Sequence, residues 1–147
     1  MDICKYTPLS MSKILCVLKS QKICNLGTMS LNNLEIVPMW YVFDYKNSKL
    51  TFYFISGNNG EKMDNMKDTG IVCVSINKCY KKCCTEVYNS IVANGNATII
   101  KNSSEKTYIL NKFKEKYGTN NCYFDECAIN KLDYIKVDVY EVTGRAY

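Results

Sequence analysis

The sequence predicts a mainly β protein: an antiparallel sheet of six strands, closed into a small barrel and flanked by two or three helices. Three observations carry this. Short strand-like runs follow one another through the first half of the chain, joined by connections too short for parallel crossovers. Two further long apolar runs, Glu86 to Ile100 and Leu132 to Thr143, have the length and β-branched content of strands. Closure of such a sheet removes edges that would otherwise attract other chains.

The elements fall in this order. Ser10 or Ser12 caps a first helix, with Met11, Ile14, Leu15 and Leu18 on one face and an end near Ser20. Lys22 to Ser30 forms the first strand, with Cys24, Leu26 and Thr28 sharing a side. Leu31-Asn32-Asn33 turns the chain into a second strand, Leu34 to Tyr45. Pro38 interrupts that strand and cannot donate to a ladder, so it marks an edge, a bulge or the approach of another group. Lys46-Asn47-Ser48 turns again, and Leu50 to Ser56 is the third strand. The loop Gly57-Asn58-Asn59-Gly60 leads into a short helix, Glu61 to Lys67, ended by Asp68-Thr69-Gly70. Ile71 to Ile76 is the fourth strand, apolar enough to be covered on both sides. A loop rich in lysine and cysteine precedes the fifth strand, in which Gly95 marks a bulge or a close backbone approach. Asn102 and Glu105 open a helix that turns Ile109, Leu110, Phe113 and Tyr117 inward and stops at Gly118. Thr119 to Asn130 reads as irregular, and the sixth strand closes the chain. Residues 1–147 carry no sign of a domain boundary and are expected to form a single domain.

Composition narrows the chemistry. A hydrophobic content of 47% against 22% charged residues describes a chain that folds around a core. No apolar run approaches the roughly 20 residues needed to cross a bilayer, and the N-terminal residues lack the apolar stretch of a signal peptide; a cytoplasmic protein is expected, with no membrane partner. The net charge of +5 is mild, and Arg145 is the only arginine among nineteen basic residues. Nucleic-acid readers lean on arginine forks. The cluster of Lys78, Lys81 and Lys82 with Tyr80 therefore reads as a solvated loop tip, and no nucleic-acid partner is expected.

The chain has no histidine, which excludes Ser-His and Cys-His nucleophiles and leaves no side chain that titrates near neutrality unperturbed. Reactivity then falls to a cofactor. Nine cysteines, an odd number, do not suggest a disulfide framework in a chain of this size. Cys16, Cys24 and Cys73 read as core fillers. Cys79, Cys83 and Cys84 are spaced poorly for a tetrahedral metal site, so no metal is expected.

The stretch from Leu26 to Met66 carries the positive signal. A strand ending in a Gly/Asn loop, followed by a lysine at a helix start, makes a place for a phosphate: loop N–H groups and the positive helix end face the anion, and the lysine adds a mobile charge.

These blocks, in this order, resemble the FMN-binding split-barrel family typified by pyridoxamine 5′-phosphate oxidase, in its nitroimidazole-reductase-like branch. The matching pieces are Leu26-Gly27-Thr28, Ile36-Val37-Pro38-Met39, Phe54-Ile55-Ser56, Gly60-Glu61-Lys62-Met63, Tyr88-Asn89-Ser90-Ile91-Val92 with Gly95-Asn96-Ala97, Glu105-Lys106 and Val142-Thr143-Gly144-Arg145. The resemblance runs from about Ile23 to Arg145. It implies a homodimer holding FMN in grooves between subunits. It places Ile36, Val37, Pro38, Met39 and Trp40 along the flavin ring, and Ser56 and Lys62 on the phosphate. Ile55, Glu61 and Ser90 complete the implied cofactor set, while no catalytic side chain is identified. Trp40 stacks on the ring or substrate, or fills core or interface; both readings stand.

Two departures bear on function. Glu61 stands where relatives often carry a first basic residue, and Ile55 where many nitroimidazole-reductase-like members have histidine. The implied activity is a flavin-dependent oxidoreductase. It would pass electrons from a reduced nicotinamide nucleotide to a small acceptor, nitroaromatic or quinone-like. The alternatives are a non-catalytic flavin-binding, stress-related protein and a metal or redox module built on Cys79, Cys83 and Cys84. True pyridoxamine-phosphate oxidation is not expected, because basic residues for a second phosphate are missing.

Overall fold

The computed structural model describes residues 5–57, 61–119 and 131–147, with the backbone alone at Glu61. The predicted loop at Asn58, Asn59 and Gly60 and most of the irregular stretch before the last strand lie outside them. In chain order the described elements are β1 (Thr7–Pro8), α1 (Met11–Ser20), β2 (Ile23–Ser30), β3 (Asn33–Trp40), β4 (Val42–Lys46), β5 (Lys49–Gly57), α2 (Glu61–Asp68), β6 (Ile71–Lys82), β7 (Thr85–Ile100), α3 (Ser103–Tyr117) and β8 (Leu132–Ala146). The sheet is antiparallel throughout and runs β3-β2-β6-β7-β8-β5-β4, with β1 added to β8.

The described strands number eight rather than six. One addition is the two-residue β1. The other arises because the expected second strand is two strands, broken at Tyr41. The hydroxyl of Tyr117 takes up that residue's backbone: Tyr41 N–H donates to Tyr117 Oη (3.2 Å), and the hydroxyl donates to Tyr41 O (2.6 Å). Tyr41 is thereby removed from the ladder, and the chain bends from β3 into β4. These two strands are the ends of the ladder path, so the sheet wraps round to a seam at this bend rather than closing by hydrogen bonds.

The expected lysine- and cysteine-rich loop is mostly strand. β6 and β7 pair out to Lys82 and Thr85, leaving Cys83 and Cys84 as a two-residue turn with φ of 52° and 66°. Both central residues of a type I′ hairpin need that left-handed backbone. Asn47 and Ser48 make the same kind of turn between β4 and β5.

Strand alternation sets the core. Leu26, Val74 and Ala93 occupy one inward row across β2, β6 and β7. Phe52 and Phe54 of β5 and Ile135 and Val137 of β8 face the same interior. α1 is capped by Ser10, whose Oγ accepts from Lys13 N–H, and it presses Ile14, Val17 and Leu18 into this core. Cys24 is the expected filler. Cys16 is exposed, because it lies off the buried face of α1, and Cys73 is only half-buried.

A smaller cluster forms under α3, whose Ile109, Leu110 and Phe113 cover Val42, Ile55, Ile100 and Tyr134. Asn102 caps that helix by accepting from the N–H groups of Ser104 and Glu105. Gly95 marks both features expected of it: the β7–β8 register shifts at Asn94/Gly95, and a Cβ there would lie 2.5 Å from Asp138 O.

Candidate functional site

The largest-scale irregularity of the sheet, its seam, is also where a cavity opens. Four consecutive residues of β3, Val37 to Trp40, line it. Consecutive residues of a strand point to opposite faces, so the cavity follows the outer edge of β3 rather than one face. Among the described residues β3 pairs only with β2, and Pro38 lacks a donor, so its other edge borders the cavity rather than a strand.

The facing wall is the end of β5, with Ile55, Ser56 and Gly57; Phe113 of α3, Ile23 of β2 and Lys62 of α2 complete it around a volume of about 440 Å³. Trp40 is fixed in orientation by stacking on Tyr117 (5.3 Å between ring centres, 14° between planes). Phe113 stacks on Tyr117 in turn at 5.6 Å. The Tyr117 hydroxyl also lies 2.8 Å from Lys22 O, which ties this aromatic stack to the start of β2.

Polar groups gather at one end. Ser56 is buried, and its hydroxyl donates to Gly57 O at 3.1 Å. Lys62, one residue into α2, is half-buried, and burial lowers its pKa while the carboxylate of Glu35 acts in the opposite sense. Glu35 belongs to the same alternating row of β3 as Val37 and Met39. Its Oε2 is buried and, among the described residues, accepts no hydrogen bond. Among the described residues Lys62 is the only titratable side chain on the cavity wall. Beneath α2, Asn65 donates from Nδ2 to Thr28 Oγ1 at 3.2 Å, both buried, and so fixes the helix against β2.

Of the residues singled out from sequence, Val37, Pro38, Met39, Trp40, Ile55, Ser56 and Lys62 meet around this cavity. Ile36 does not: it is absent from the cavity wall, and its side chain is 75% exposed on the face it shares with Pro38 and Trp40. Ser90 lies on β7 opposite Asn77 and Arg145, away from the cavity wall. The side chain of Glu61 lies outside the described residues. Sequence reasoning passed over Ile23, Phe113 and Glu35. Ile23 reaches the site because it pairs with Trp40 across the β2–β3 ladder. The inward face read for α3 contained Phe113, but not which strands it would meet.

The profile of the pyridoxamine 5′-phosphate oxidase family matches residues 10–146. The chain belongs to this family. It is a flavin-binding family, and solved structures agree on the fold. A Bacteroides thetaiotaomicron protein named for 5-nitroimidazole antibiotic resistance superposes with a TM-score of 0.76 at 23% identity, over 97% of this chain and 87% of that one. A FAD-binding protein from Mesorhizobium loti gives 0.73 at 15% identity, over 97% and 96%. A FAD-binding protein from Mycobacterium smegmatis gives 0.66 at 17% identity, over 96% and 99%. No curated protein matches the sequence. Among the described residues no helix is long and apolar enough to cross a membrane, and no three potential metal ligands come together. Cys79, Cys83 and Cys84 are all exposed on the β6–β7 hairpin.

Proposed function

We propose that the seam cavity holds FMN and that the protein is a flavin-dependent oxidoreductase, passing electrons from a reduced nicotinamide nucleotide to a small nitroaromatic or quinone-like acceptor. The carrying observation is the layout of one cavity: a largely apolar slot along the outer edge of β3, with a buried hydroxyl and a half-buried ammonium on its wall.

The residues fit the group. Val37, Pro38, Met39 and Trp40 offer an isoalloxazine ring apolar contact, and the outer edge of β3 at Val37 and Met39 offers main-chain groups for its polar edge. Ser56, Lys62 and the N-terminal turn of α2 offer a phosphate a hydroxyl, a cation and backbone donors. Glu35 acts against the phosphate, since its half-buried carboxylate already shares the field of Lys62. Bound flavin supplies the redox chemistry. The chain's part is to position the ring, exclude water with Trp40, Phe113 and Ile55, and anchor the tail.

A second copy of the chain is part of this reading. The outer face of β3, β2 and β6 exposes Leu34 (77%), Ile36 (75%), Ile23 (56%) and Ile71 (44%) beside the cavity. Exposed apolar patches of this extent mark interfaces, and a homodimer would cover the face and complete the groove. Ser90 is proposed to reach the cofactor from the partner subunit's side of that groove. Oxidation of pyridoxamine phosphate is not part of the proposal, because one cation cannot serve two phosphates; release of pyridoxal phosphate by the purified protein would contradict this.

One observation favours a non-catalytic flavin carrier as a second reading: among the described residues the wall offers Lys62 and no other proton donor of adjustable charge. Steady-state assays with reduced nicotinamide and a panel of acceptors separate the two. Turnover above that of free FMN supports the oxidoreductase, and turnover equal to it supports the carrier.

A further inference from the structure

A second cavity, of about 550 Å³, lies between α1, β4 and α3 and shares no lining residue with the seam cavity. Its base is apolar, formed by Leu15, Val42 and Phe43, and four lysines converge on it: Lys19 from α1, Lys46 from β4, and Lys112 and Lys116 from α3. Two of these are already engaged. Lys112 Nζ lies 2.7 Å from Asp44 Oδ1, and Lys46 Nζ donates to the Tyr108 hydroxyl (3.2 Å), which itself donates to Asp44 Oδ2 (2.7 Å).

Lys19 and Lys116 differ. Among the described residues neither has a carboxylate within 4 Å. The Lys116 ammonium is drawn partly out of water, 4.0 Å over the ring of Tyr41, and it donates to Tyr41 O at 3.3 Å. A desolvated cation whose neighbours are ring faces and a carbonyl lacks a counter-charge.

We propose that this groove is a second ligand site, taking a small phosphate monoester with an apolar body, its dianion between Lys19 and Lys116 and its body on Leu15, Val42 and Phe43. The dianion would supply the negative charge that, among the described residues, neither ammonium has within 4 Å, against the opposing carboxylates of Asp44 and Glu115 on the same wall, and the apolar residues supply a surface that inorganic phosphate cannot use. The site stands or falls independently of flavin binding.

The proposal has a pH signature. Burial pushes Lys116 down to about 8, with Cys24 opposing and Lys22 adding to the fall. Its direct neighbours are Tyr41 and Tyr117, and Lys19, Asp44, Lys112 and Glu115 are the other charged groups on the same cavity wall. An anion binds the protonated amine, so affinity is full below the depressed value and falls as pH rises through it. A phosphate monoester is already a dianion from about pH 7 upward, so loss of affinity above that pH reports the protein.

The test is calorimetric titration with phenyl phosphate at pH 7 and pH 9, with and without saturating FMN. It uses the wild type and the Lys19→Gln and Lys116→Met variants, each checked for fold by circular dichroism. The expected result is saturable binding that FMN leaves unchanged and that weakens about tenfold between the two pH values. Lys116→Met should weaken binding and abolish the pH dependence, whereas Lys19→Gln should weaken it and keep the dependence. Absence of saturable binding at millimolar phenyl phosphate overturns the proposal. So does wild-type affinity in both variants, inorganic phosphate binding as tightly, or displacement by FMN.

Discussion

Lys62 lies on the wall of the proposed phosphate site within the field of the Glu35 carboxylate, and the balance of the two is expected to set the strength of that site. Lys62→Ala is expected to weaken FMN binding by about 1.5–3 kcal/mol through loss of a charge-assisted bond; a fluorescence titration giving unchanged affinity would remove Lys62 from the site. Glu35→Gln removes a like charge and is expected to tighten FMN by about 1 kcal/mol, which the same titration reads. The sequence exposed only half of this pair. Lys62 stands out because a glycine-rich loop and a helix start precede it. Glu35 does not, because a carboxylate in an alternating strand reads as a solvent-facing residue. Only the placement of α2 across β3 brings it under cover. Ile36 shows the converse: its number puts it among the ring-lining residues, but the cavity reaches only Val37 to Trp40 of β3 and leaves the Ile36 side chain exposed.

At the scale of elements, two contacts decide how the site is framed. The first is the docking of α3 on β4 through Asp44. Burial acts to raise this carboxyl, but hydrogen bonds from Lys112 and Tyr108 outweigh it and hold the carboxyl below its usual range. Its stabilising effect is therefore fully present above the unfolded value of about 3.9 and fades as pH falls through the lower native value. Asp44→Asn should cost about 1–2 kcal/mol near neutrality, allowing for solvent at a partly open pair, and wild type and variant should converge in acid. Urea unfolding at both pH values checks this, and a constant difference would contradict it. The second contact is the close approach of β7 and β8. Gly95→Ala forces a Cβ against Asp138 O and Val137 Cγ1, and should destabilise by about 2–3 kcal/mol in the same experiment. Gly95 was legible because a lone glycine weakens a long strand unless a bulge or a neighbouring backbone requires it. The break at Tyr41 was not, because its cause is a tyrosine 76 residues away on α3. The hairpin at Cys83 and Cys84 was missed for a local reason: neither residue belongs to the Asn-Gly chemistry that usually announces a type I′ turn.

For the whole molecule, the sheet order makes a barrel with one seam, and the seam places the outer edge of β3, a helix start and an exposed apolar face side by side. The fold class was legible from strand spacing, while pairing order and face exposure required the assembled sheet. Ile36→Asp is a clean test of the proposed dimer, since this side chain contributes little to the protomer's own core. Light scattering should show a dimer for wild type and a monomer for the variant, and a monomeric wild type that still binds flavin would contradict the shared groove. The most direct measurement is titration of folded wild-type protein with FMN, followed by the visible flavin bands and their fluorescence. The account predicts saturation at one FMN per chain in the micromolar range. A folded protein that leaves the spectrum of FMN unchanged up to millimolar concentration would contradict it.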